Sequence, residues 1–133
     1  MPYQSRQLTR AVYNTERYVL HNYIKVFWKE TTKRYKLFGV KKALMRGNPV
    51  IINLQADEAF DNIELGQHYW TPNEKQQYTQ TLLIVGYDEN KKAFEVMNSR
   101  GAKWGNRGCI WIRYVDFGKY AGTGVVLIPN VNN

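Results

Sequence analysis

FEVMNSRGAKWGNRGCIWI, residues 94–112, carries two strands and the turn that joins them. AFEVMN (93–98) and RGCIWIRYV (107–115) read as strands, because apolar side chains recur at every second position. Between them stand Gly101, Trp104, Gly105 and Gly108, the composition of a glycine turn anchored by one large ring. Working outward, YTQTLLIVGY (78–87) reads as a largely buried strand, DENKK (88–92) as the turn after it, and GVVLI (124–128) as a last strand.

Upstream, PVIINLQ (49–55) is a strand opened by Pro49. Before it the spacing predicts a short helix over 38–46. Val40, Ala43 and Leu44 form its apolar stripe, and Phe38, Lys41, Lys42 and Met45 share another flank. Gly47 and Asn48-Pro49 stop it. YVLHNYIKVFW (18–28) is a strand, with Ile24, Val26 and Trp28 on one side and Lys25 and Phe27 on the other. KETTKRYK (29–36) reads as a polar connection. Residues 56–77 read as a long, turn-rich loop, which in a small domain is more often functional or partner-facing than idle. Residues 1–16 read as a basic N-terminal arm and 17–133 as one domain. The predicted fold class is α+β: an antiparallel β-barrel or sheet of about five to six strands with one short helix.

A chain of 133 residues supports one real core, and 44% hydrophobic with 23% charged residues is the balance of a globular protein. Ten Tyr, five Phe and four Trp favour strands and argue against disorder. With a single cysteine, Cys109, no internal disulfide forms, and His21 and His68 do not complete a zinc site with it. No metal or other cofactor is expected. No apolar run is long enough to span a bilayer and no secretion signal is visible. These features place the protein in the cytoplasm or within a larger assembly. The charge of +8 is uneven: residues 1–48 hold eleven Lys/Arg against Glu16 and Glu30, and the remainder holds eight against nine Asp/Glu. Such a basic third is either a solvated face or a contact for a polyanion or an acidic partner.

The order of these pieces resembles the C-terminal half of the papain-like cysteine proteases. GVKKALMRGNPVIINL matches their helix and strand, LLIVGY their central strand, and Asn98, Ser99, Gly101, Trp104, Gly105, Gly108 and Ile110 fall at the spacing of their Asn-containing segment. The resemblance covers about residues 17–129. It implies the barrel lobe of a two-lobed enzyme, the lobe that carries the catalytic His and the Asn that orients it. The helical lobe, with the nucleophilic Cys and the oxyanion-hole Gln, has no counterpart in this sequence.

The resemblance also assigns the site positions. The family His lies six residues before the Gly of VGY, and that position here is Gln80. A carboxamide does not titrate near neutral pH, so Gln80 cannot act as a general base or acid. Asn98 matches the orienting Asn, and Arg100 replaces the Trp that shields the His–Asn bond. Gln80, Asn98 and Arg100 are therefore expected to be vestigial, with a Gln80–Asn98 hydrogen bond replacing the ancestral pair. His68 falls in the loop, away from the catalytic strand. Cys109 sits where the family has an aromatic, and is expected to be a small buried hydrophobe.

Three functions follow as expectations. The first is a non-catalytic barrel that binds a protein partner, or a second copy, covering the cleft-side face. Phe60, Tyr69 and Trp70 of the loop are candidate contacts for it, with packing of the loop on the barrel as the alternative. The second is half of a split or processed cysteine protease whose nucleophile lies on another chain. The third is a nucleic-acid or polyanion contact through the basic third.

Overall fold

The alternation of VIINLQA sets the middle of the molecule. In the computed structural model, which describes residues 23–98 and 104–127, this run is β2 (Val50–Ala56), and Val50, Ile52, Leu54 and Ala56 are wholly buried. Around it stand β1 (Tyr23–Phe27), β3 (Tyr78–Asp88), β4 (Ala93–Met97), β5 (Cys109–Arg113) and β6 (Ala121–Leu127). They form one six-stranded sheet in the order β1-β6-β2-β3-β4-β5, and every pairing is antiparallel. Strands that follow one another in the chain lie side by side in β3-β4-β5, with a short turn between β3 and β4. The last strand, β6, inserts between the first two. It fits there because Gly124 has no side chain: a Cβ would overlap the Phe27 ring.

Among the described residues, three helices close the core: α1 (Lys33–Met45), α2 (Glu58–Asp61) and α3 (Tyr114–Tyr120). The core is rich in aromatic contacts. Phe117 meets Phe27 edge-on at 5.6 Å and Phe94 at 4.8 Å, while Trp70 meets Phe60 at 5.8 Å and Tyr120 at 5.5 Å. Such edge-to-face pairs add about 0.5–1.5 kcal/mol each beyond area burial.

The α+β antiparallel fold is as expected, with differences in detail. α1 begins at Lys33, inside the stretch read as a polar connection. The reason is that its long side chains reach inward: Lys36 is 3% exposed and its Nζ donates to Ala121 O at 2.6 Å. Burial pulls the Lys36 ammonium below its ordinary pKa, against the charge of Glu30. α2 and α3 add to the single helix expected. In α3, Tyr114, Phe117 and Tyr120 are buried at three-residue spacing, which places one flank on the sheet. β5 starts at Cys109 rather than 107, because Arg107 (φ 58°) and Gly108 (φ 86°) are left-handed. β6 starts three residues earlier than predicted. The arm 1–16, residues 18–22 of the first predicted strand and Ile128 of the last lie outside the described residues.

Candidate functional site

Gln80 lies in β3 opposite Leu54 of β2, two residues before the buried Leu82. Asn98 follows the end of β4 and is 4% exposed. Its backbone N–H donates to Gly108 O at 3.1 Å, which ties the strand end to the glycine turn. The two side chains meet as expected: Gln80 Nε2 donates to Asn98 Oδ1 at 3.4 Å, near the long limit for such a bond. Two neutral amides donate and accept hydrogen bonds, but neither takes up a proton near neutral pH. Arg100 lies outside the described residues.

The turn that carries Asn98 depends on two glycines. Gly105 has φ 60° and Gly108 φ 86°, and a Cβ on Gly105 would strike Cys109 O. Trp104 is 4% exposed and packs on Phe60 at 5.2 Å, inside the core rather than at its edge.

The other chemistry-bearing residues stand apart from this pair. His68 is exposed, and its carbonyl accepts from Trp111 N at 2.8 Å, so it borders β5 with β4 between that strand and β3. Cys109 is half-buried beside the turn rather than in the core, because the fully buried residues of β5 are Ile110 and Ile112. Burial, with the Glu95 carboxylate adding to it, pushes its thiol up to about 11. A thiol so protonated is a poor nucleophile. On the opposite face of the sheet, beside Gln80, Thr81 Oγ1 donates to Asn53 Oδ1 and Asn53 Nδ2 to Thr123 Oγ1, both at 3.2 Å. Among the described residues, no cluster of three or more His, Cys, Asp and Glu is placed to hold a metal ion.

The loop contacts expected at a partner surface are corrected in part. Phe60 and Trp70 are wholly buried and belong to the core, so neither presents surface to a partner. Tyr69 is half-buried with the Arg113 guanidinium 4.4 Å from its ring centroid. For these two rings the alternative, packing of the loop on the barrel, holds: a polar loop carries its rings inward when a polar hub satisfies its backbone.

That hub is Asp57, a residue that pattern reading passed over. It caps α2 by accepting from Phe60 N at 3.0 Å, and it accepts from Trp70 Nε1 at 2.9 Å, Asn73 N at 2.7 Å and Glu74 N at 2.9 Å. Burial opposes its charge, but these four donors outweigh burial and hold the carboxyl below its ordinary pKa. The sequence signal was an Asp directly before a helical turn that starts with Glu.

A β-sheet lobe of this topology, with an Asn-bearing glycine turn beside the central strand, is the barrel lobe of papain-like proteases. The papain family cysteine protease profile matches residues 1–122, and the chain belongs to that family. Two curated relatives are an uncharacterised peptidase C1-like protein of Acanthamoeba polyphaga mimivirus and the gamete and mating-type specific protein A of Dictyostelium discoideum. The first is 32% identical over 87 residues, 62% of this chain and 28% of the relative. The second is 31% identical over 110 residues, 80% of this chain and 22% of the relative. The chain thus spans about a quarter of each relative's length. Among solved structures, xylellain, a cysteine protease from Xylella fastidiosa, superposes with a TM-score of 0.62 at 21% identity, covering 86% of this chain and 42% of that one. Digestive procathepsin L2 from Tenebrio molitor gives 0.59 at 25% identity, covering 84% and 35%.

Proposed function

We propose that this chain is a non-catalytic papain-family domain acting as a protein-binding or structural subunit of a larger assembly. The observation that carries the reading is the Gln80–Asn98 amide pair. It keeps the geometry of an orienting Asn and its partner while removing the titrating group. An amide there cannot activate a thiol or protonate a leaving amine. The chain's own thiol, Cys109, is held protonated and lies on another strand.

The test is hydrolysis of fluorogenic peptides by the full chain from acidic to neutral pH, with labelling by a thiol-directed epoxide in parallel. Neither turnover nor labelling is expected. Turnover abolished by Cys109→Ser would sink the proposal.

A second reading, half of a split protease, is favoured by the 42% of xylellain that the chain covers. Under it the nucleophile sits on another chain. Labelling of a partner's cysteine in the native complex, lost when this chain is removed, would support it over the first.

A further inference from the structure

Large apolar side chains left in water are concentrated in one region of this protein. Tyr23, Ile24, Trp28, Tyr35, Phe38 and Met45 all lie between β1 and the end of α1, and Phe38 is 61% and Met45 75% exposed. Such clustering differs from the scattered single apolar residues of an ordinary surface. Between β1 and α1 runs a groove of about 440 Å³, floored by Val26, Gly39, Ala43 and Val126. Gly39 sets its depth. A Cβ there would press on Val26 Cγ1 at 2.9 Å, so the bare helix backbone closes directly on the strand.

The rim of the groove is cationic. Lys25, Lys42 and Arg46 line it and no Asp or Glu does. The ion pairs among the described residues lie elsewhere: Lys41 with Glu89, Lys91 with Asp88 and Lys119 with Glu74. Lys25 rests over the Trp28 ring at 5.4 Å, and none of the three rim cations has an anionic partner among the described residues. From Tyr23 to Arg46 the chain holds eight Lys/Arg and one acid, Glu30. The adjoining edge has no further strand among the described residues. On the other side of the sheet, β5 is covered by the loop through the Tyr69–Trp111 bridge, while β1 pairs only with β6 among the described residues.

We infer that this groove docks an acidic segment of a partner protein, with a bulky apolar side chain on the Val26–Gly39–Ala43 floor and flanking carboxylates on Lys25, Lys42 and Arg46. The inference rests on the reading of this chain as a protein-binding domain and names its surface. Charge selects the occupant. The same face of a second copy carries the same cations and is repelled, and the sequence 1–22, with three Arg and one Glu, supplies no run of carboxylates. Shape selects among anions. A bilayer surface cannot fill a concave groove, and a phosphate backbone gains nothing from an apolar floor. A peptide supplies both chemistries at side-chain spacing.

The experiment is selection of a random dodecapeptide library on the immobilised full chain, followed by fluorescence anisotropy with the selected peptides. Enrichment of Asp and Glu around a Phe, Trp or Leu is expected. Affinity should fall about tenfold or more in Lys42→Glu/Arg46→Glu and also in Phe38→Ala, fall less in Lys42→Gln/Arg46→Gln, and weaken with salt. The three groove positions changed are exposed, circular dichroism reports their folding, and Lys91→Glu on a distant turn should leave binding unchanged. No enrichment, or enrichment without acidic residues, overturns the inference. Peptides that bind the charge-reversed protein equally well overturn the groove while leaving a protein-binding domain standing. Binding to phosphatidylserine vesicles or to a single-stranded oligonucleotide that is lost in the same variants, without peptide binding, overturns it in favour of a lipid or nucleic-acid surface. Cleavage of the bound peptides would sink the non-catalytic reading and leave the groove assigned.

Discussion

Asp57→Ala should unlock the long loop and unfold the protein at lower temperature. One carboxylate, 2% exposed, accepts four hydrogen bonds from Phe60, Trp70, Asn73 and Glu74. Loss of the helix cap costs about 1 kcal/mol. The Trp70 indole N–H, left buried without an acceptor, costs about 1–3 kcal/mol more. The Asn73 and Glu74 amides are only part-buried and regain water, so they add little. The total is about 3 kcal/mol, or roughly 10 °C in Tm for a chain of this size. Asp57→Asn should cost nearly as much, because its NH2 would face one pair of N–H donors. The effect has a pH signature. The folded carboxyl titrates below its ordinary value, so its stabilisation is present above the unfolded pKa, about 3.9, and is lost as pH falls through the folded one. The gap between wild type and Asp57→Ala should therefore narrow in acid. Thermal melts followed by Trp fluorescence, from neutral pH downward, measure both. A Tm within about 2 °C of wild type at neutral pH, or a gap that widens in acid, would refute Asp57 as the loop's hub.

Two further outcomes follow from the turn and its cysteine. Alkylation of Cys109 by iodoacetamide should be slow at neutral pH and rise with pH towards a midpoint near 11, and Glu95→Gln should lower that midpoint; a plateau near neutrality would contradict the burial argument. Gly105→Ala should lower the urea midpoint by about 2–3 kcal/mol equivalent, from left-handed strain plus the clash with Cys109 O. Gly66→Ala provides the comparison: its φ is 89° but nothing lies within 4 Å, so strain alone should cost it about 1 kcal/mol.

Much of the candidate site was legible in the chain because it depends on local spacing. The resemblance to the papain-like family marks position 80, six residues before Gly86, and implies an amide within reach of Asn98, the contact that the fold then makes. The helix α3 was less legible. Its Gly118 weakens the helical pattern, and the buried Tyr114, Phe117 and Tyr120 also suit the end of a strand followed by a turn. For Phe60 and Trp70 the chain left open both a partner contact and packing of the loop on the barrel, and they pack in the core. Their direction is set by Asp57, whose partners lie up to seventeen residues away in sequence.

Residue type and spacing along the chain set the alternation of the strands and the glycine turn around Asn98, while the reading of position 80 came from the resemblance to the family. Tertiary structure alone decided which faces meet water. It buried the cationic Lys36 by offering it the Ala121 carbonyl, drew the loop's aromatic rings inward, and left Trp28 and Phe38 exposed beside Lys25, Lys42 and Arg46. Burial depends on what lies across space from a side chain, and that is set by strand order, in which β6 returns to lie between β1 and β2. No local period in the chain encodes that return.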